Sequence, residues 1–192
     1  MKTFSRALSR IVCSVAVCGT LAVASATTVI PPSFDELVNE AEIIFQGSVT
    51  NLQPQWVGQG PQRHIVTYVT FKVEEALKGN PGKEITLRMF GGTIAGQSMH
   101  VSDAPKFHVG DRDVLFVEHN GSQFIPLVGI MHGRYRVEKD ENGRDVIFTN
   151  KGIPLTSLDQ IGKESVAPGQ AMTAESFKQA VQARTGIRQP QP

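Results

Sequence analysis

The chain has 192 residues and only two cysteines, Cys13 and Cys18, both close to the N-terminus. The region after residue 18 therefore has no disulfide, no thiolate zinc site and no cysteine nucleophile. Charge of one sign is also missing: 19 basic residues stand against 18 acidic ones. No basic cluster forms the footprint expected of a nucleic-acid-binding protein, so no nucleic-acid partner is expected. Tryptophan occurs once, at Trp56, and tyrosine twice. No internal repeat is visible. The apolar run near the N-terminus, IVCSVAVCGTLAVA, is shorter than a comfortable membrane span.

That run follows Lys2, Arg6 and Arg10 and precedes the small residues Ala24-Ser25-Ala26. A basic stretch, an apolar stretch and a small-residue site together make a secretory signal, predicted to span residues 1–26 with cleavage after Ala26. A lipoprotein site at Cys18 is disfavoured by Val17, because such sites carry a small residue there. The expected product is periplasmic or secreted and has no integral membrane segment. Processing removes both cysteines, so the fold must rest on its hydrophobic core. A chain of this length suffices for one.

The remaining sequence reads as mainly β. Ser33 and Glu36 form a capping box ahead of Phe34, Leu37, Val38 and Ala41, which recur at helical spacing. At Ile43 the period changes to two, with Gly47 marking a bulge or close backbone approach. NLQPQWVGQGPQRH reads as a polar loop. HIVTYVTFKVEEALKG and EITLRMF read as strands, the second with Ile85, Leu87 and Met89 inward. Val114 to Val117 are apolar throughout, as in a strand buried on both faces. Asn120-Gly121 and Asn142-Gly143 each signal a hairpin, the second placing Tyr135 and Val137 inside. Thr173 caps a helix at about 174–185, where Met172 and Phe177 suit a hydrophobic staple and Gly186 ends the helix. Short strands, two Asn-Gly turns and terminal helices predict a small antiparallel closed OB-like barrel over residues 27–152. A C-terminal extension, 153–192, carries the helix. Closure also answers the exposed-edge problem of a β protein without disulfides.

The order of these elements, with FDELVNEAEIIFQGSV, YVTFKVEEALKG, ITLRMF and DVLFVEH, resembles the N-terminal domain of tissue inhibitors of metalloproteinases, a netrin-like OB-fold barrel. It is also similar to a loose group of uncharacterised bacterial exported proteins sharing Y-x-x-F-x-V-x-E-x-L-K-G, here Tyr68 to Gly79. The resemblance covers residues 33–137. It implies the barrel, and with it inhibition of an extracellular metalloprotease. Those inhibitors chelate zinc through a disulfide-tethered N-terminal cysteine. The processed chain would instead begin Thr27-Thr28-Val29, and its connector, Gly91 to Val101, has no cysteine.

MFGGTIAGQSMHVSD, residues 89–103, places Gly91, Gly92, Gly96, Ser98, His100 and Asp103 in one short connector. A serine hydrolase would need Ser98, His100 and Asp103 to converge. GQSMH is not a nucleophile elbow, and residues so close in sequence seldom form a triad. The other readings are a solvated connector and a partner-contact loop. Trp56 either meets a partner or folds back over one end of the barrel. The spacing of the five histidines matches no common zinc motif, although His108 and His119 would approach if their strands were neighbours. Glu74-Glu75 and Asp111/Asp113 read as solvated strand ends rather than an acid/base couple. The expected function is a non-enzymatic binding module for an unknown protein or small ligand. It needs no cofactor and contacts its partner through Trp56 and the connector residues Gly91, Gly92, Gly96, Ser98 and His100. Inhibition of a metalloprotease and hydrolysis are the alternatives.

Overall fold

The computed structural model describes residues 31–163 and 169–186. The signal sequence and its cleavage site, residues 27–30, and the tail from residue 187 lie outside the described residues. Helix α1 (Phe34–Glu40) starts at the capping box: the Glu36 N–H donates to the Ser33 hydroxyl at 3.3 Å, and the Glu36 carboxylate accepts the Ser33 N–H at 2.7 Å. The long strands β1 (Ile43–Val57) and β2 (His64–Lys78) pair antiparallel, and β3 (Glu84–Phe90) pairs with β2. A small hairpin, β4 (Gly92–Ile94) and β5 (Gln97–Met99), stands apart. β6 (Arg112–Val117), β7 (Arg134–Lys139) and β8 (Asp145–Thr149) complete the main sheet, and α2 (Ala174–Thr185) closes the described chain.

The main sheet has six strands in the order β3-β2-β1-β6-β7-β8, and it is open. The expected closed barrel is therefore wrong: β3 and β8 are opposite edges of the sheet and do not meet. The reason lies in the two central strands. Along β6, Val114 and Phe116 enter one apolar cluster while Leu115 and Val117 enter the other. Ile44 and Phe45 of β1 divide in the same way. A strand buried on both faces needs cover on both, and a small barrel has only one interior. One face is covered by α1 and α2, whose Phe34 and Phe177 rings lie 5.8 Å apart. Phe177 also meets Phe116 and Tyr135. The other face is covered by the segments carrying Phe107, Ile125 and Leu127. The C-terminal helix is thus part of the core, with Phe177 and Val181 fully buried.

The edge problem is solved by loops instead of closure. At β3, the Asn120 side chain donates to Thr86 C=O at 2.9 Å and accepts from Arg88 N–H at 3.1 Å, and Phe90 N–H donates to Phe124 C=O at 2.7 Å. At β8, Ile147 N–H donates to Met172 C=O and Thr149 N–H to Ile153 C=O. Asn120-Gly121 does turn the chain, but the expected second strand is reduced to one bridge, Val117 to Leu127. Residues 51–57, expected as loop, extend β1 and pair with residues 64–70 of β2. Gly47 is the close approach its position suggests, since a Cβ there would lie 2.6 Å from Lys72 C=O.

The sheet and the segment ahead of β6 are tied at Arg134 of β7. Its Nε donates to Asp113 Oδ1 at 2.8 Å, its Nη2 to Asp111 Oδ2 at 2.8 Å and its Nη1 to Lys106 C=O at 2.6 Å. The guanidinium also lies 4.2 Å from the Phe107 ring centroid. Asp113 is a buried partner rather than the solvated strand end expected of it. Burial pushes its carboxyl up to about 6 from 3.8, against the opposing pull of Arg134.

Replacing Asp113 with Ala strands the buried guanidinium, and a loss of about 3–5 kcal/mol is expected in urea unfolding at pH 7. The folded chain takes up the Asp113 proton at a higher pH than the unfolded chain does. The proton-linked part of this group's contribution is therefore complete below 3.8 and lost as the pH rises through 6, leaving the ion-pair part at pH 7. The stability gap between wild type and Asp113→Ala should widen as the pH falls from 7 toward 5, and a constant or shrinking gap would count against the raised value.

Candidate functional site

The β2–β3 ladder ends at the pair Val66–Phe90. There Gly91 turns the chain out of the sheet, its N–H donating to Ile65 C=O at 2.8 Å and its C=O accepting the Thr67 hydroxyl at 2.7 Å. Gly91 and Gly92 have φ of 99° and 139°, which side chains disfavour. Space forbids a side chain as well: a Cβ on Gly92 would lie 2.3 Å from Thr67 Oγ1, and one on Gly91 2.7 Å from Met99 C=O. The β4–β5 hairpin then turns through Ala95 and Gly96, both at positive φ, as a two-residue hairpin requires. Met99 brings it back over β2, where its sulfur accepts the Ile65 N–H at 3.2 Å. From His100 the chain runs on to Lys106 and Phe107, which Arg134 holds.

Between this returning connector and the sheet lies a cleft of about 250 Å³. Its floor is Leu52, Val69 and Met89, and its opposite wall is Met99, Val101 and Phe107. Gly91, Gly92, Thr67, His100 and Lys106 supply polar atoms at its margin. The lining is mostly apolar with a few polar groups, the usual constitution of a ligand site.

The structure brings some of the expected site residues together. Gly91, Gly92 and His100 line the cleft. Trp56 is half-buried on β1, opposite Ile65 and two residues beyond Pro54, which also lines the cleft. The Arg63 guanidinium stacks 4.3 Å above the Trp56 ring. Gly96 is at the exposed hairpin tip, outside the cleft. Ser98 is exposed, with its hydroxyl 2.8 Å from that of its cross-strand partner Thr93. Its hydrogen bond goes to Thr93 and not to His100, so the Ser98–His100–Asp103 constellation is not assembled.

His108 and His119, which would approach only if their strands were neighbours, stand apart. His108 precedes β6 and lies 3.6 Å from Asp111, whereas His119 follows β6 and lies 3.9 Å from Glu42. The length of that strand, about 20 Å, separates them. No three His, Cys, Asp or Glu side chains group as a metal would require among the described residues. Glu74 accepts from Arg112 and Gln46, and Glu75 pairs with Lys178 at 2.6 Å, so both carboxylates have structural partners. The Asp113–Arg134 anchor was missed by sequence reasoning. Its one signal is a charged residue directly ahead of the doubly buried run Val114 to Val117.

No described helix is long and apolar enough to cross a membrane. Compared with protein families, curated proteins and solved structures, the chain matches none.

The two kinds of glycine in the connector should separate experimentally. Gly92→Ala forces Thr67 off the Gly91 carbonyl and adds backbone strain, so a loss of about 2–3 kcal/mol is expected in chemical denaturation. Gly96→Ala meets nothing within 4 Å and should cost only about 1 kcal/mol. Equal losses would show that the close packing beneath Gly92 is not what holds the connector.

Proposed function

We propose that this chain is an exported, non-enzymatic binding module that holds an apolar group of a protein or small-molecule partner in the cleft beneath the connector. The observation that carries this reading is the cleft itself. It lies between a rigid sheet and a clamped segment, and three residues singled out from the sequence, Gly91, Gly92 and His100, line it. Export rests on the basic, apolar and small-residue succession of residues 1–26. The near balance of charge supports a partner that is neither nucleic acid nor strongly charged. Inhibition of a metalloprotease, which the resemblance implied, would act through the processed N-terminus, and residues 27–30 lie outside those described.

A six-carbon chain gains about 5 kcal/mol from burial before the cost of association, which places n-hexanol in the millimolar range. In methyl NMR of the full chain labelled at methionine, n-hexanol should shift Met89 and Met99 saturably and leave Met131 and Met172 in place. The emission of Trp56, the only tryptophan, should move with the same midpoint. Leu52→Phe fills the floor of the cleft and should weaken the response about 10-fold or more. If Met89 and Met99 do not move at any soluble concentration, the cleft is not a binding site.

A further inference from the structure

The cleft adjoins a strand edge that the fold leaves open. β6 pairs with β1 only from Ile43 to Ser48. One residue further, Val49 is satisfied by Asp111 C=O and Gly110 N–H, both at 2.9 Å. Beyond Val49, among the described residues, no other backbone hydrogen-bonds to that side of β1. The edges at β3 and β8, by contrast, are both covered.

The direction of the backbone groups on this edge follows from Ile65. Its C=O accepts from Gly91 and its N–H donates to Met99, so both point away from β1. Trp56 lies directly opposite Ile65, so the two form a non-hydrogen-bonded pair, and Trp56 directs its N–H and C=O outward. Register is unbroken from Asn51 to Val57, so Pro54 and Leu52 face outward too. The edge therefore offers the N–H and C=O of Leu52, the C=O of Pro54 and the N–H and C=O of Trp56. These sit at strand spacing, about 6.8 Å from one residue to the next but one. Only an extended chain complements such a row. A residue added opposite Pro54 would share its face, and Leu52 and Pro54 both line the cleft.

We infer that the occupant is an extended segment of a partner protein, which joins β1 at Leu52 to Trp56 as an added strand and places one apolar side chain in the cleft. This rests on the cleft reading above and specifies its ligand. Pro54 decides between a foreign segment and a second copy of this chain. Its missing N–H removes one ladder bond from a foreign strand, but any two-fold pairing of copies loses two, one for each Pro54. Proline thus discourages self-pairing through an open edge while leaving the five groups named above available to another chain.

The test uses the full chain and a displayed library of short linear peptides, with the enriched peptide then synthesised. Its binding should slow hydrogen exchange at the Leu52 and Trp56 amides about 10-fold or more. N-methylation of the peptide amides that face the edge should abolish binding, and methylation of the intervening amides should leave it intact. Pro54→Ala restores the missing donor and should tighten binding about 3- to 10-fold. Enriched peptides that shift Met89 and Met99 but leave Leu52 and Trp56 exchange unchanged would overturn strand addition while the cleft reading stands. The same conclusion follows if n-hexanol binds and no peptide is enriched. If neither binds, the cleft reading falls and this inference with it. Protection of Leu52 and Trp56 that grows with protein concentration alone would overturn the foreign-segment assignment in favour of a second copy.

Discussion

The guanidinium of Arg134 is where the sheet and the segment that makes the cleft are joined. It leaves β7, is buried against Asp113 of β6, and reaches the Lys106 carbonyl and the Phe107 ring of the connector. That attachment joins the glycine turn, the Met99 contact, the Phe107–Phe71 packing and the Gly110–Val49 hydrogen bond in holding the chain between Gly91 and Asp111. Buried ion pairs are poor sources of net stability, because desolvation of both charges offsets most of their attraction. The raised carboxyl of Asp113 is the local sign of that opposition. What the pair supplies is placement. A planar donor set with every edge engaged fixes the returning connector in one position, where apolar contacts alone would let it slide.

The second constraint is the two-sided burial of β1 and β6. Once both faces of the central strands are apolar, helices must cover one side and the connector must cover the other. The connector is therefore a layer of the core as well as the wall of the cleft, with Phe107 stacked edge-on to Phe71 at 5.4 Å. Cover on both faces also removes the need to close the sheet, since short loops suffice at its edges. Asn120 is an economical example: one side-chain amide supplies both the donor and the acceptor that a neighbouring strand would offer to Thr86 and Arg88.

Local signals were legible where local chemistry decides. The Ser33–Glu36 capping box, the Thr173 cap with Gly186 at φ 71°, the Asn142-Gly143 turn and the inward row Leu87 and Met89 all act within a few residues. The doubly buried strand at Val114 to Val117 was legible too, and it argued against the barrel to which the strand count pointed. Sequence could not show which edges loops would cover, because the partners of Asn120 lie more than thirty residues away. The arm at Asn51 to Val57 was hidden for a different reason. Leu52 and Trp56 share a face there, but a proline stands between them and the neighbours are glutamine and asparagine, so the composition reads as loop, and the pairing with β2 makes it a strand. In the site, the glycines and His100 were found because backbone freedom and polar chemistry mark a connector. Leu52, Val69 and Met89 look like any other core residues until the wall opposite them is known.

That arm is the least economical part of the structure, and this bears on its use. A stretch of β1 that buries little and leaves one edge open adds small stability for the entropy of ordering it. A loop would connect β1 to β2 more cheaply nearer Thr50, where the central sheet ends. The arm carries instead the backbone row at Leu52 to Trp56 and the Trp56–Arg63 stack, and it supplies Leu52 and Pro54 to the cleft. Close beside it the connector tolerates Ala95 at φ 47° and two glycines that admit no side chain. Unspent backbone hydrogen-bonding capacity thus collects at one end of a sheet whose other edges are capped. Folding alone gives no reason for that concentration, and a ligand bound there would supply one.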